Sequence, residues 1–224
     1  MSDPAPPLDP PRSYEAVAGI YDGIASCWSC GRIDVAKRWQ SETLAGGGDW
    51  LFAGVGTGLE AWLAARRGAR VTALDLAPAM LEATRRRLAA SHLAAELVRQ
   101  DLFEHTRQAG YDVVVANFVL DVMGPDTMRR ALERLSDLTR PGGRLTLADF
   151  APARGGALAR SLAHANFEPI LLAGRLLGLA SPHPLYDYAP ALRALDLRLE
   201  QRRGFPLWRG GPDLYEVLIA RRPG

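Results

Sequence analysis

Three glycines at alternate positions, Gly54, Gly56 and Gly58, follow a short apolar run and precede a helical pattern at 59–67. Glycines at such a turn let the backbone bend sharply and let a ligand touch main-chain atoms where a Cβ would collide. Asp75 stands twenty-one residues after Gly54, at the end of the next apolar run. A carboxylate there can accept hydrogen bonds from both hydroxyls of a ribose, so strand, glycine turn, helix, strand and acid together read as a nucleotide-binding unit. The spacing is G-x-G-x-G. Leu59 occupies the place where a dinucleotide fingerprint needs its third small residue, which disfavours a nicotinamide-dependent oxidoreductase.

The elements that must hold this loop are visible as an alternation of short β-type runs and longer helical patterns, the mark of a parallel sheet covered by helices. The runs at 50–53, 70–74, 96–99, 112–117 and 144–148 read as strands, and 215–220 as a further one. Pro78 can open a helix at its first turn, with Met80, Leu81, Thr84 and Leu88 on one face and Arg85, Arg86 and Arg87 mostly on the other. Pro125 and Asp126 start another that carries Met128, Leu132, Leu135 and Leu138 and is stopped by Pro141, Gly142 and Gly143. Two regions fall outside the rhythm: a helical prefix at 14–44 and a Pro-interrupted helical insertion beginning near 151. Ligands of open α/β sheets lie at the carboxyl ends of the strands, so both are placed to cover a site.

Composition sets the outer limits. The chain has 224 residues, 48% hydrophobic and 23% charged, with a formal net charge of +2, which describes one domain with a packed core. Of its 27 basic residues only Lys37 is a lysine; this arginine bias suits genome composition, and the near-balanced charge gives no support to a nucleic-acid partner. Residues 1–13 read as a disordered leader, with five prolines by Pro11 and no apolar signal core. The most apolar stretch, 170–180, is broken by Arg175 and too short for a membrane span. The two cysteines, Cys27 and Cys30, offer neither a disulfide framework nor a four-ligand zinc site, so they read as helical thiols in a cytoplasmic protein.

The G-x-G-x-G loop, Asp75, Asp101 in "RQDLF", "DVVVANFVLDVM" and "RPGGRL" resemble, in that order, the stations of class I S-adenosylmethionine-dependent methyltransferases. "VAGIYDGIAS" in the prefix is similar to the ubiquinone/menaquinone-biosynthesis group of that family. The resemblance covers roughly 45–149. It implies a Rossmann-like three-layer α/β sandwich, with a mostly parallel seven-stranded sheet and an antiparallel closing strand. It also implies S-adenosyl-L-methionine as cofactor, no metal, and a division into a lid at 14–44, a cofactor core at 45–150, a substrate-side insertion at 151–195 and closing strands at 196–224. Carried over by position, Gly54, Gly56 and Gly58 would meet the amino-acid end of the cofactor and Asp75 its ribose. Leu76 and Met80 would flank the adenine, Asp101 would receive its amino group, and Leu102 would give a backbone contact. Asn117 and Phe118 would line the passage to the acceptor, and Tyr21 would close from the lid, with Tyr14 and Asp22 beside it. One position departs: the family usually has an acid two residues before the first glycine, where this chain has Phe52.

Methyl transfer from a sulfonium is an in-line displacement, so alignment, exclusion of water and, for some nucleophiles, removal of a proton are what a protein must provide. Asp121, just past the fourth strand, is the candidate base, with His164 as a second catalytic candidate. His183, Glu168, Tyr186 and Tyr188 in the insertion are candidate acceptor contacts, while His92 and His105 read as solvated. The Leu-rich stretch 157–180 suits an apolar acceptor or peripheral contact with a membrane. The expectation is a methyltransferase for a small quinone-like, lipid or secondary-metabolite acceptor. A phospholipid amine N-methyltransferase and a non-catalytic cofactor-binding subunit are the alternatives.

Overall fold

Strand β1 (Asp49–Ala53) sends Trp50 and Phe52 into one core and Leu51 and Ala53 into another, and all four are buried. A strand that is apolar on both faces has to be covered on both, which requires helices above and below the sheet. The computed structural model describes residues 26–176 and 180–224; the expected leader, Tyr14, Tyr21 and Asp22 lie outside the described residues.

From the amino end, α1 (Arg32–Thr43) precedes β1, α2 (Leu59–Arg66) follows it, and β2 (Arg70–Asp75), α3 (Pro78–Ala89) and β3 (Glu96–Arg99) complete one half. The other half runs β4 (Tyr111–Asn117), α4 (Pro125–Leu138), β5 (Thr139–Phe150), α5 (Ala157–Leu176), α6 (Tyr188–Ala194), β6 (Arg198–Pro206) and β7 (Asp213–Arg221). The strands lie in the order β3-β2-β1-β4-β5-β7-β6, with β3 through β5 parallel and β7 antiparallel to both its neighbours. This is the mostly parallel seven-stranded sheet that the motif order implied. Strand order reverses between β1 and β4, and the crevice at such a switch point is where open α/β sheets bind ligands.

The pleat distributes the core. Phe52, Val113, Val115, Phe150 and Val217 meet Ile33 and Ala36 of α1, Ala61 and Ala64 of α2 and Phe167 of α5. On the other side Leu51, Val114, Leu145 and Leu147 meet Leu132 and Leu135 of α4 and Leu192 of α6.

Two details differ from expectation. Strand β5 begins at Thr139, so Pro141, Gly142 and Gly143 end α4 but then run on as strand. The chain end accounts for it: Gly142 N–H donates to the Arg222 carbonyl (3.0 Å) and Arg222 N–H to that of Gly143 (2.9 Å). The helical insertion, expected to be broken by proline, continues through Pro169 as α5. Among the described residues no helix is long and apolar enough to cross a membrane.

Gly58 shows how tightly α2 and α3 are joined under the loop. It sits at φ +78°, and a Cβ there would lie 2.6 Å from Thr84 Oγ1, whose hydroxyl donates to the Gly56 carbonyl at 3.0 Å. Gly58→Ala is therefore expected to lower stability by about 2–4 kcal/mol, through the left-handed backbone and the clash together. Urea unfolding, with an unchanged slope and a lower midpoint, checks it.

Candidate active site

The turn after β1 is tied to the end of β2. Gly54 and Val55 N–H both donate to the Leu74 carbonyl, at 2.9 and 3.0 Å. Asp75 then reaches back: Oδ2 accepts from Gly56 N–H and Oδ1 from Ala77 N–H, each at 3.0 Å. Burial pushes this carboxyl above its ordinary range, opposed by those backbone N–H groups. From α3, Arg87 Nε donates to the Thr57 carbonyl at 2.9 Å. Along the same edge, Leu76 follows Asp75, Met80 is buried on α3, and Asp101 lies just past β3, accepting from Phe103 N–H at 2.9 Å. Leu102 packs against the α4-side core.

Across the switch point, Asn117 ends β4 inside a buried polar network. Its Nδ2 donates to Gln40 Oε1 (2.7 Å) and Glu60 Oε1 (3.2 Å), while its Oδ1 accepts from Gln40 Nε2 (2.9 Å) and Ala148 N–H (2.8 Å). Lys37 Nζ lies 3.1 Å from Glu60 Oε1. Phe118 follows with φ +53°, unusual for a bulky residue, its N–H held by the Ala148 carbonyl at 2.8 Å and its ring edge-on to Phe150 and Tyr215. Val119 completes the junction: a Cβ on Gly54 would lie 2.5 Å from its Cγ2, so the glycine turn and the β4 exit are in contact.

On the α4–α6 side of the strand ends lie two carboxyl groups. Asp149 accepts from Tyr188 hydroxyl at 2.6 Å and from Phe150 N–H at 2.7 Å. Asp121 Oδ1 is enclosed and has no hydrogen-bond partner. Burial pushes Asp121 up to about 7 and Asp149 well above its ordinary range, the second helped by the charge of the first. Asp121 therefore gives up its proton near neutral pH, and it is the carboxyl with a free oxygen to use. Described residues of the insertion cover this place. His183 stacks on Tyr186 (4.8 Å between ring centres) and bonds the Asp121 carbonyl, Tyr186 hydroxyl donates to the Met123 carbonyl at 2.8 Å, and Ser181 N–H donates to that of Val122 at 2.9 Å.

Residues 51–145, which carry the glycine loop, Asp75, Asp101 and Asp121, match the family described as methyltransferase domain. The match is to the part of the chain that carries the stations resembling class I S-adenosylmethionine-dependent methyltransferases. The chain is 33% identical over 141 residues to a malonyl-(acyl-carrier protein) O-methyltransferase of Serratia marcescens, covering 62% of this chain and 51% of that one. It is 31% identical over 154 residues to a demethylmenaquinone methyltransferase of Thermobifida fusca, covering 65% and 62%. The chain thus spans between half and two thirds of the length of these curated relatives. In fold it resembles the crystal structure of a 1,6-didemethyltoxoflavin-N1-methyltransferase of Burkholderia thailandensis, with a TM-score of 0.62 at 23% identity over 100% of this chain and 95% of the other.

The fold brings most of the expected residues to one edge, but His164 does not join them. Its side chain is half exposed and pairs with Glu168 at 3.2 Å on the outside of α5. The inward positions of that helix are Ala163 and Phe167, which leaves 164 turned towards solvent. His105, expected to be solvated, is buried instead, its ring between Gln100 Oε1 (3.1 Å) and the Tyr111 hydroxyl (2.8 Å). Cys27 and Cys30 are exposed free thiols. Glu60, Gln40 and Asp149 were not singled out by sequence; Asp149, at the end of an expected strand like Asp75, had a usable positional signal. Tyr21 lies outside the described residues.

Raised carboxyls leave a mark on stability. Because Asp121 ionises at its ordinary 3.8 when unfolded and at about 7 when folded, the native state loses stability as pH rises across that interval. Asp121→Asn is expected to flatten this fall, by as much as ~4 kcal/mol at the upper end. Denaturant unfolding of both forms between pH 4 and 8 measures it.

Proposed function

We propose that the chain transfers a methyl group from S-adenosylmethionine to a protic group, a hydroxyl first of all, on a small-molecule acceptor, with Asp121 taking the proton. The observation that carries this proposal is the unpartnered, enclosed Asp121 oxygen beside the exit of β4, across one switch point from Asp75 and the glycine turn.

The residues suit the methyl donor. Asp75 receives the backbone N–H groups of Gly56 and Ala77, with that of Leu76 also turned to it, and a carboxylate accepts about four hydrogen bonds, so capacity remains for a ribose hydroxyl. No heavy atom lies within 4 Å of where a Cβ on Gly56 would stand, which gives the loop an open face. When bound, the donor supplies a methyl group on sulfonium sulfur, already an excellent leaving group. The chain's part is then to orient, to exclude water and to remove a proton. Tyr186 and His183, folded over the 121–123 turn, serve the second task. Asp121 serves the third. Asp149 beside it is likewise pushed well above its ordinary range by burial, and Tyr188 holds Asp149 in place.

A hydroxyl gains from a base before transfer, whereas a neutral amine needs only alignment, so Asp121 favours an oxygen acceptor. The names of the relatives add two acceptor classes to test, an acyl-carrier-protein thioester and a quinone. An apolar acceptor also accords with α5, where Leu158, Leu172 and Leu176 are 75%, 55% and 80% exposed and, at multiples of the helical repeat, share a face. The prefix at 14–44 and the insertion at 151–195 would set specificity around the 45–150 core.

Calorimetry with S-adenosylmethionine and S-adenosylhomocysteine tests the donor side, and absence of binding overturns the proposal. Transfer of a labelled methyl group to hydroxyl, amine and activated-carbon acceptors tests the rest. On an oxygen acceptor the rate is expected to rise with pH through about 7. Asp121→Asn should lose that rise and about 10²–10⁴-fold in kcat. Binding of the donor without transfer to any acceptor points to a non-catalytic subunit.

A further inference from the structure

The acid that resembling proteins carry two residues before the first glycine is Phe52 here, and Phe52 points into the core formed with Ala36 of α1 and Ala61 and Ala64 of α2. The same layer holds a carboxylate of a different origin. Glu60, the second residue of α2, is 6% exposed and paired with Lys37 of α1 at 3.1 Å, while Asn117 Nδ2 donates to the same oxygen, Oε1, at 3.2 Å. Lys37 Nζ also stands 5.8 Å from the centre of the Phe118 ring, at the junction of the glycine turn and the β4 exit. Lys37 is the one lysine among 27 basic residues, and it sits in this buried layer where the arginines of the helix surfaces do not. A compact ammonium with three rotatable donors can hold one partner and still turn to another, which a rigid guanidinium fork does less readily.

We infer that Lys37 and Glu60 form the subsite for the zwitterionic end of the methyl donor, its ammonium meeting the Glu60 carboxylate and its carboxylate the Lys37 ammonium. This rests on the donor proposed above. The two charges match an α-amino acid in sign, lie side by side, and take up the role left open by Phe52 from the helix side of the same core. The donor carboxylate and ammonium would then form a four-membered ring of alternating charges with this pair, so each buried charge keeps an opposite neighbour whether or not ligand is present.

The test compares two ligands on the full chain by calorimetry: S-adenosylhomocysteine, and 5′-methylthioadenosine, which has the adenine, ribose and sulfur but no amino-acid end. Lys37→Met and Glu60→Gln are each expected to weaken S-adenosylhomocysteine at least tenfold and 5′-methylthioadenosine less than twofold. The double variant leaves neither charge uncompensated, so it keeps the test open where a single variant fails to fold, and it should show the same selective loss. Lys37→Arg, which keeps the charge but not the freely turning donors, should bind S-adenosylhomocysteine more tightly than Lys37→Met and less tightly than wild type. Equal weakening of both ligands would mean that the pair only holds α1 to α2, and an unchanged preference for S-adenosylhomocysteine in the double variant would likewise overturn the inference. Wild-type chain that binds 5′-methylthioadenosine but shows no preference for S-adenosylhomocysteine overturns this subsite alone; binding of neither overturns the methyl donor itself.

Discussion

The side-chain amide of Asn117 makes four hydrogen bonds, all that such a group can make, and they lead to α1, α2 and β5. A fully satisfied buried amide is rigid because every alternative orientation leaves a donor or acceptor unpaired in a low-dielectric interior. At the end of β4 that rigidity fixes the point from which Phe118 turns into its left-handed conformation, and with it the path of 119–121 across the glycine turn. It also pins α1 by Gln40, which donates onward to Thr146 Oγ1 of β5 at 2.8 Å. Helix α1 is thereby held to the sheet by directional bonds as well as by Ile33 and Ala36.

The pleat keeps two kinds of chemistry apart. Ala148 faces the core under α1, and its neighbour Asp149 faces α6, where Tyr188 meets it. One step along β5 therefore places the sheet between the Lys37–Glu60 pair and the Asp121–Asp149 pair. Had the lysine shared a face with those acids, its charge would have drawn their protons off at ordinary pH. Separation by the sheet leaves burial unopposed by a cation there, and burial is what raises them.

Much of the framework was legible in the sequence because it depends on local pattern. Glu96–Arg99 and Pro125–Leu138 appear where apolar periodicity and the proline starts put them, and Gly54 through Asp75 carried their own spacing. Less legible were features made by distant partners. Nothing local marks Glu60 as buried; it reads as an ordinary acid in the first turn of a helix, and only Asn117 and Lys37, 57 and 23 residues away in sequence, give it company. His105 read as solvated for the same reason, since its burial depends on the Tyr111 ring. The start of β5 was obscured by Pro141-Gly142-Gly143, a sequence that ends a helix by its own propensities but extends as strand when Arg222 offers it backbone partners. His164 shows the opposite failure: histidine chemistry suggested a role that helical phase denied, one residue past the inward Ala163.

The near-absence of lysine has a practical side. Lys37 holds the chain's single ε-amine, and it is held by Glu60 between α1 and α2 with its side chain 15% exposed. An amine-selective acylating reagent thus meets one side chain in this sequence, and it competes there with the Glu60 carboxylate for the same nitrogen. The rate of its labelling, set against that of a free lysine, reads how firmly the ion pair between the amino-terminal helix and the core is held.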